Sequence, residues 1–402
     1  MKYFQCFVLI CLIALLTISC KKKEIRLADN TWYIVDDSVI LMLCENSEQK
    51  SYKDTMVQLK GNVDSLKEAI QVLEKMPQDE NVKNALGVAY VKMRMFQEAK
   101  EKFQEALVLC DSEEERVCIL SNLAEIMVYE DNKEAAIQYL KEALELKIND
   151  PLKNLVLKSN LASIELYGKE NKVREIAKIK KLIKEEKNIL GSNQFIGIFN
   201  YKLLARACYY EDKMNRCKYY MTKALRLNQD IYQDVFMEAH LYKDLAFMYA
   251  NSTNGLNEAF DYINVNIDLL EKWQVKDGYD LLTSYVTRGN ICMNLDWSKQ
   301  EMAIKDYEHV LELCPPYDNL AAMSYYNLAD AYGYENMDRI IRSYARAYYI
   351  WNLKGNKESD QEAEETLRGI YEQQENNSGD YETWFQTQII QAKEDLRKLW
   401  GE

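Results

Sequence analysis

The two histidines of the chain are the first candidates for chemistry, because histidine is the commonest metal ligand and a frequent general base. His240 has Asp244 four residues further on, and His309 has Glu312 three residues further on. Each pair is too small for a metal site, since even a catalytic zinc uses three protein ligands. The chain also lacks the GxGxxG and GxxxxGK phosphate-binding motifs. The sequence therefore predicts that the protein is not an enzyme and holds no metal or cofactor.

Cysteine is the other residue type with possible chemistry. Of ten cysteines, Cys6, Cys11 and Cys20 fall in the first 20 residues, which leaves seven, and no CxxC motif is present. Seven cysteines cannot all pair within one chain. Cys208 and Cys217 are the candidates for a disulfide. Two buried thiols are the favoured alternative, because cysteine is among the most buried residue types.

The charge balance narrows the range of partners. The 402 residues include 51 Lys and Arg against 64 Asp and Glu, a net charge of -13 at pH 7. Nucleic acid is excluded as a partner, since phosphate contacts need an excess of basic residues on one face. Only 4 prolines and 13 glycines are present, too few for many short strands and turns. The composition therefore predicts one continuous helical protein.

A repeated pattern of small and large residues organises most of the chain. Residues 84–107, NALGVAYVKMRMFQEAKEKFQEAL, read as two amphipathic helices joined by a tight turn. The marker residues are Leu86, Gly87 and Tyr90 in the first helix and Ala99, Phe103 and Ala106 in the second. The small residues fall where two helices touch, and the large ones fill the space between them. This order of residues resembles the tetratricopeptide repeat, a helical hairpin.

Equivalents of Gly87 recur at intervals of 37 to 43 residues. They are Ala124, Ala162, Ala205, Ala246, Gly289 and Ala329. The intervals exceed the consensus length of about 34 residues. The resemblance covers roughly residues 62–353 and implies an all-α fold, a right-handed α-solenoid of tetratricopeptide-like helical hairpins.

The repeats set the predicted domain boundaries. We expect a signal peptide at 1–19, a tether and N-terminal segment at 20–60, repeats at 61–353 and capping helices at 354–402. The capping helices are predicted at 360–374 and 381–400, where they would cover the apolar face of the last repeat.

The N-terminal segment has a less regular pattern. Residues 32–35 predict a short strand or an extended tether, and residues 38–60 predict a helix. The run from Asn62 predicts the second helix of an incomplete first repeat, with Ala69 and Leu73 in the packing positions and Pro77 ending it.

The first 20 residues, MKYFQCFVLICLIALLTISC, have the form of an export signal, with Lys2 ahead of an apolar run. Ser19 before Cys20 resembles a bacterial lipobox, which implies cleavage before Cys20 and lipidation of its thiol. The alternative is an uncleaved anchor, but the apolar run is short for a membrane span. Lys21, where an aspartate would resemble an inner-membrane retention signal, favours the outer membrane. The chain as a whole resembles a lipoprotein of a Bacteroidota-type bacterium. We expect it to face the periplasm, and display on the cell surface is the alternative.

In proteins of the resembled family, the first helix of each repeat lines a concave groove that binds the partner. Carried over by position, the resemblance implies that this groove contains Phe199, Lys202, Arg206, Tyr209, Tyr210, His240, Lys243, Asn290 and Tyr326. Lys202 and Arg206 stand four residues apart on one helix face and are placed to bind a carboxylate. The alternative is that both belong to a solvated face.

These patterns predict a lipid-anchored repeat scaffold that binds a protein or peptide partner in its groove at the outer membrane, as an adaptor or in envelope assembly. One alternative is an immunity-type protein that binds a toxin in the periplasm. Another is a peptide or sugar receptor.

Overall fold

The computed structural model describes residues 32–36, 38–44, 50–61, 63–146, 148–166, 173–191, 194–272, 278–333, 336–373 and 379–400. The predicted signal peptide and Cys20 lie outside these residues, so the lipidation of Cys20 stays a prediction. None of the helices in the described ranges has the length and hydropathy of a membrane span.

Two short strands precede the helices. Strands β1 (Tyr33–Val35) and β2 (Ile40–Met42) pair antiparallel, with Ile34 opposite Leu41. The helices are α1 (Lys50–Gln58), α2 (Val63–Glu74), α3 (Glu80–Lys92), α4 (Phe96–Leu109), α5 (Glu113–Tyr129), α6 (Lys133–Glu145), α7 (Pro151–Leu166), α8 (Val173–Leu190), α9 (Phe195–Tyr209), α10 (Met214–Leu227), α11 (Val235–Ala250), α12 (Leu256–Lys272), α13 (Tyr279–Leu295), α14 (Gln300–Leu313), α15 (Asn319–Ala331), α16 (Met337–Lys354), α17 (Lys357–Gln373) and α18 (Tyr381–Trp400). A π-helical turn, Asn228–Tyr232, follows α10, and a 3-10 turn, Trp297–Lys299, precedes α14.

The chain divides into two compact units, residues 1–241 and residues 242–402. Unit 1 contains the strands and the helical hairpins α1/α2, α3/α4, α5/α6, α7/α8 and α9/α10, and it ends within α11. Unit 2 begins within α11 and contains the hairpins α13/α14, α15/α16 and α17/α18.

The turn inside three hairpins of unit 1 has one geometry. Arg94, Asp131 and Asp212 each lie two or three residues beyond the end of a helix and adopt a left-handed φ, of 61°, 55° and 55° respectively. The next residue then donates its N–H back into the preceding helix, as Met95 does to the Tyr90 carbonyl over 2.9 Å. This arrangement satisfies carbonyls that would otherwise lack a partner at the helix end. It ends one helix and starts its antiparallel neighbour within a few residues.

The marker residues pack as their sizes predict. Ala99, Phe103 and Ala106 have no exposed surface. A Cβ on Gly87 would lie 2.4 Å from Phe103 Cε1, and a Cβ on Gly289 would lie 2.6 Å from Tyr307 Cε1. Both glycines are therefore required because an aromatic ring of the second helix occupies the space of a side chain on the first.

The N-terminal segment corrects one prediction. A helix over residues 38–60 is wrong, because Ile40–Met42 is a strand and helix α1 begins only at Lys50. The apolar run from Val39 to Leu43 is buried on both faces, and a continuous apolar run of this length is compatible with a buried strand as well as with a helix. The strand over 33–35 agrees with the first of the two alternatives for that segment.

The first and last helices agree largely with the expected pattern. The helix predicted from Asn62 is α2, but α1 precedes it, so the first hairpin is complete. The two predicted capping helices are α17 and α18. Cys208 and Cys217 are buried and do not form a disulfide, in agreement with the favoured alternative.

Candidate functional site

Five residues of the predicted groove lie on α9 of unit 1 or directly after it. Phe199 and Lys202 are fully buried, and Lys202 Nζ lies 5.9 Å from the centroid of the Phe199 ring. Arg206 is 9% exposed. Tyr209 and Tyr210 contact each other edge to face at the end of the helix, and Tyr210 is 54% exposed. Within this set, solvent reaches mainly the tyrosines.

The chain's own N-terminal strands lie against the first helices of the unit 1 hairpins. Every residue from Val39 to Leu43 is at most 1% exposed. The ring of Tyr33 in β1 contacts the ring of Phe195 at the start of α9, with 5.5 Å between their centroids. The face that the repeat pattern assigns to a partner is therefore filled, in unit 1, by an extended segment of the same chain.

Asparagine side chains hold the main chain of β2, and we call Asn84, Asn122 and Asn160 the asparagine ladder. Asn122 accepts the N–H of Met42 at Oδ1 over 2.8 Å and donates Nδ2 to the Met42 carbonyl over 2.8 Å. Asn84 donates Nδ2 to the same carbonyl over 3.0 Å. Asn122 Nδ2 also donates to Asn84 Oδ1 over 2.9 Å, so the two amides fix each other's orientation.

The next asparagine of the ladder repeats this arrangement two strand residues earlier. Asn160 Oδ1 accepts the N–H of Ile40 over 2.7 Å, and its Nδ2 donates to the Ile40 carbonyl over 3.0 Å. Ser121 Oγ accepts from the same Nδ2 over 3.0 Å. Because a side-chain amide pairs with a main-chain N–H and C=O just as a neighbouring strand would, the ladder satisfies the open edge of β2.

The other strand is held by a tyrosine. Tyr232 accepts the N–H of Val35 at its hydroxyl over 3.0 Å and donates to the Tyr33 carbonyl over 3.1 Å. Burial raises the pKa of Tyr232 well above its ordinary value, so its hydroxyl stays protonated and able to donate.

Charged groups surround the strands inside unit 1. Lys92 Nζ lies 3.7 Å from Asp234, and Lys60 Nζ lies 4.7 Å from the centroid of the Tyr232 ring. Burial lowers the pKa of Lys60 to about 8. Since Lys60 lies before α2 and Tyr232 lies just before α11, early and late elements of unit 1 meet beside the strands.

His240, a predicted groove residue, is another of the polar groups near the strands of unit 1. Its Nε2 lies 3.3 Å from Nη2 of Arg94. Arg94 also contacts both carboxylate oxygens of Asp36, in the turn between the strands, over 3.4 Å each. His240 therefore lies beside the turn of the strand pair. Across the described residues no group of three or more His, Cys, Asp or Glu side chains is placed to hold a metal ion.

Three predicted groove residues lie in unit 2. Lys243 donates from Nζ to Thr283 Oγ1 on α13. Tyr326 on α15 contacts the rings of Tyr344 and Trp351 and donates to Glu362 Oε1 over 3.2 Å. The third, Asn290 on α13, is exposed.

Asn290 forms an amide pair with Asn327, the residue after Tyr326. Asn327 Nδ2 donates to Asn290 Oδ1 over 2.8 Å. Tyr307 is 1% exposed, and its hydroxyl donates to the same Oδ1 over 2.6 Å. Gly289 makes this contact possible, because only a residue without a side chain leaves room for the Tyr307 ring beneath α13.

The two units differ sharply in charge. Residues 1–241 contain 36 Lys and Arg and 36 Asp and Glu, and residues 242–402 contain 15 Lys and Arg and 28 Asp and Glu. The formal net charge of -13 thus belongs entirely to unit 2. Any partner of unit 2 experiences an acidic surface, which attracts cationic molecules and repels anionic ones.

The asparagine ladder escaped the sequence analysis although the chain carries a signal for it. The tripeptide Asn-Leu-Ala occurs four times, at Asn122, Asn160, Asn319 and Asn327, and Asn84 begins Asn-Ala-Leu-Gly. In every case except Asn319, the asparagine precedes the small packing residue by two or three positions, which places it on the side of the helix beside the helix contact. The recurrence of asparagine shortly before a packing marker is the signal that the sequence carries.

No protein-family model and no curated protein matches the sequence. Solved structures do match. One is a signal-transduction ATPase with numerous domains and a tetratricopeptide repeat sensor, from Pyrococcus horikoshii, with a TM-score of 0.51 and 16% identity over 79% of this chain. The alignment covers 53% of that protein, so this chain spans about half its length. Another is a Rap protein complexed with competence and sporulation factor, with a TM-score of 0.51 and 11% identity over 87% of this chain and 98% of the Rap chain.

The fold is a tetratricopeptide-repeat-like α-solenoid. The predicted all-α class and the predicted helical hairpins are confirmed. At 11% and 16% identity, these similarities concern the fold alone.

Proposed function

We propose that the chain is a lipid-anchored protein-interaction scaffold, tethered to the bacterial outer membrane on its periplasmic side and acting as an adaptor in the cell envelope. One observation carries the proposal. The first helices of unit 1 hold an extended polypeptide by its main chain, through asparagine amides at Met42 and Ile40. Recognition of a main chain by fixed polar groups suits polypeptide partners of many sequences.

The tether sets the distance between the scaffold and the membrane. Tyr33, the first residue of β1, lies 13 positions after Cys20. A fully extended chain of that length reaches at most about 45 Å. Because β1 is fixed inside unit 1, a lipid on Cys20 would keep unit 1 within that distance of the membrane surface. A partner bound to the scaffold would then be held at the membrane.

A peptide-receptor lipoprotein is the second candidate, and the asparagine ladder favours it over a sugar receptor. The amides of Asn122 and Asn160 are matched to the alternating N–H and C=O groups of a polypeptide, not to a ring of hydroxyls. An adaptor would bind a segment of a larger protein, whereas a receptor would bind a free peptide.

Crosslinking in the native envelope, followed by mass spectrometry, tests the proposed scaffold. Wild-type protein should fractionate with the outer membrane and crosslink reproducibly to one protein, which should capture this chain in return when it carries the tag. The Cys20→Ala variant should leave the membrane and lose that crosslink. Cys11→Ala, which lies in the same signal, is the matched control and should change neither result.

Two outcomes would refute the proposal. Membrane attachment that survives Cys20→Ala would exclude the lipid anchor. Capture of free peptides but of no protein, at matched abundance, would replace the adaptor with the receptor.

A further inference from the structure

The amide pair of unit 2 repeats, without a strand, the pair that holds β2 in unit 1. In unit 1 the paired asparagines are 38 residues apart on α3 and α5, and Asn122 Nδ2 donates to Asn84 Oδ1 over 2.9 Å. In unit 2 they are 37 residues apart on α13 and α15, and Asn327 Nδ2 donates to Asn290 Oδ1 over 2.8 Å. Both pairs link the first helices of consecutive hairpins. In both pairs the later asparagine donates from Nδ2 and the earlier one accepts at Oδ1.

The orientation of the unit 2 pair is fixed. Asn290 Oδ1 accepts from the hydroxyl of Tyr307 as well as from Asn327. Burial raises the pKa of Tyr307, so its hydroxyl remains a donor. Two donors therefore hold the oxygen of Asn290, and the residue itself is exposed. Among the described residues, neither Asn290 Nδ2 nor Asn327 Oδ1 has a hydrogen-bond partner.

These two atoms correspond to the ones that contact the strand in unit 1. There, Asn84 Nδ2 donates to the Met42 carbonyl and Asn122 Oδ1 accepts the Met42 N–H. Asn290 Nδ2 and Asn327 Oδ1 therefore offer one donor and one acceptor to the C=O and N–H of a single residue in an extended chain.

We propose that Asn290 and Asn327 form a docking site for the main chain of an extended, basic segment of a partner protein. This inference rests on the proposed scaffold function and specifies where the partner binds and what kind of segment it presents. Asn84 and Asn122 are occupied by the chain's own β2, so the pair in unit 2 with the same hydrogen bond is the one that accepts a partner.

Neighbouring side chains define the chemistry of that segment. Met323, one helical turn before Asn327, is 38% exposed and offers an apolar contact. Asp330, three residues after Asn327, accepts a hydrogen bond from the Tyr344 hydroxyl, and Glu362 lies close enough to interact with it. Partial burial raises the pKa of Asp330, the hydrogen bond from Tyr344 opposes this rise, and the negative charge of Glu362 adds to it. A Lys or Arg side chain placed beside these carboxylates would stabilise both as anions.

The charge of the whole unit supports the same choice of partner. Unit 2 carries 28 acidic against 15 basic residues, so a basic segment is attracted over a distance and an acidic one is repelled. A salt dependence of binding should follow, since exposed charges are screened at high ionic strength.

Panning a random dodecapeptide display library on the purified, folded protein tests the site without knowledge of the partner. Wild-type protein should select peptides rich in Lys and Arg. A selected peptide should lose binding to Asn327→Ala by about tenfold, the effect of one or two lost hydrogen bonds. Methylation of the main-chain nitrogen at one peptide position should reduce its affinity for the wild type similarly.

Asn294→Ala is the matched control, because Asn294 is an exposed asparagine on the same helix α13 whose Nδ2 bonds the carbonyl of Asn290. It should leave peptide affinity unchanged. The double variant Asp330→Asn plus Glu362→Gln should weaken basic peptides and remove most of the salt dependence. Selection of no peptide, selection of acidic peptides, or equal binding to wild type and Asn327→Ala would each overturn the proposal.

Two further measurements separate the possible occupants. If Asn327→Ala converts a wild-type dimer to a monomer in light scattering, the occupant is a second copy of this chain and the partner proposal is wrong. If envelope crosslinking captures a partner protein equally with wild type and Asn327→Ala, the scaffold function stands and the asparagine site fails. If no protein partner is captured but the panned peptides depend on Asn327, the scaffold fails and the peptide receptor replaces it.

Discussion

Both units of the molecule contain a pair of hydrogen-bonded asparagines on the first helices of two consecutive hairpins. The pair in unit 1 binds a strand of the same chain, and the pair in unit 2 does not. In unit 1 the pair Asn84 and Asn122 lies in the interior, with β2 bound across it. In unit 2 the pair Asn290 and Asn327 lies at the surface, with Asn290 exposed. Unit 1 has equal numbers of acidic and basic residues, whereas unit 2 carries the whole net charge. The comparison teaches that a repeat scaffold can use the same polar pair for its own folding in one region and leave it available for binding in another.

The energetic roles of the two pairs should therefore differ. A buried amide that loses its partner costs the free energy of desolvation, about 1 to 3 kcal/mol, whereas an exposed amide exchanges its partner for water at little cost. Removal of a buried partner thus affects stability, and removal of an exposed one affects recognition.

The largest expected effect comes from a charge placed in the filled face. Leu41→Asp puts a carboxylate at a position with no exposed surface, between the strands and the helices of unit 1. We expect a loss of about 4 kcal/mol or more, enough to unfold unit 1, because an unpaired buried charge is among the most damaging changes in a core. Hydrogen exchange by mass spectrometry should show protection lost over residues 63–227 and retained over 279–354. Met323→Asp, at an exposed position of unit 2, is the control and should change neither region.

The buried carboxyl of Glu186 should make the stability of unit 1 depend on pH. Its Oε1 accepts the N–H of Gly197 over 2.8 Å, and burial raises its pKa from 4.5 to about 8. The folded state therefore binds a proton that the unfolded state releases, so the free energy of unfolding should fall as pH rises from about 4.5 to about 8. Glu186→Gln should remove this fall and stabilise unit 1 by about 1 to 4 kcal/mol at pH 9.

Denaturant unfolding at pH 5, 7 and 9 measures this effect. Glu185→Gln is the control, because Glu185 pairs with Lys158 over 3.0 Å and is partly exposed. If wild type and Glu186→Gln show the same pH dependence, the carboxyl of Glu186 is ionised in the folded protein and the account of its burial is wrong.

A matched pair of glycine substitutions compares the helix packing of the two units. Gly87→Leu in unit 1 and Gly289→Leu in unit 2 each place a side chain where an aromatic ring lies, Phe103 and Tyr307 respectively. We expect each to cost about 1 to 3 kcal/mol from overpacking, and more where the ring cannot move. Thermal unfolding followed by hydrogen exchange should place each loss in its own unit. An unchanged melting temperature for either would contradict the close packing of that hairpin.

The smallest but most discriminating comparison is one substitution made in both units. Asn160→Ala leaves the N–H and the C=O of Ile40 without partners in a buried site and should cost about 1 to 3 kcal/mol. Asn327→Ala removes the amide of a partly exposed residue and should cost less than about 0.5 kcal/mol. Denaturant unfolding measures both. Equal losses would mean that the unit 2 pair is structural as well and would weaken its assignment to a partner.

The fold was predictable from the sequence because the repeat pattern rests on packing. Gly87 and Phe103, and likewise Gly289 and Tyr307, are a missing side chain and the ring that fills its place. In the other repeats a small alanine stands at the position of the glycine, as Ala124 and Ala205 do. Patterns of this kind are local, so one sequence is enough to read them.

The packing of β1 and β2 against the helices of unit 1 was not predictable, because it depends on contacts between residues far apart in the sequence. Ile40 meets Asn160 across 120 residues, and Tyr33 meets Tyr232 across 199. The run from Val39 to Leu43 lacks the alternation of polar and apolar residues that marks a strand with one exposed face, since both of its faces are buried. The resemblance also assigned Phe199 and Lys202 to the groove, and both are fully buried in unit 1. Their role in binding a partner stays a prediction.

Native-state hydrogen exchange of the Ile40 and Met42 amides tests the central claim that the unit 1 face is filled by its own chain while the unit 2 pair is open. If the claim holds, both amides should exchange only when unit 1 unfolds, with the same free energy of opening as the buried core of α5. A free energy of opening several kcal/mol lower for the strands alone would contradict it, because the asparagine ladder of unit 1 would then become available to a partner without unfolding.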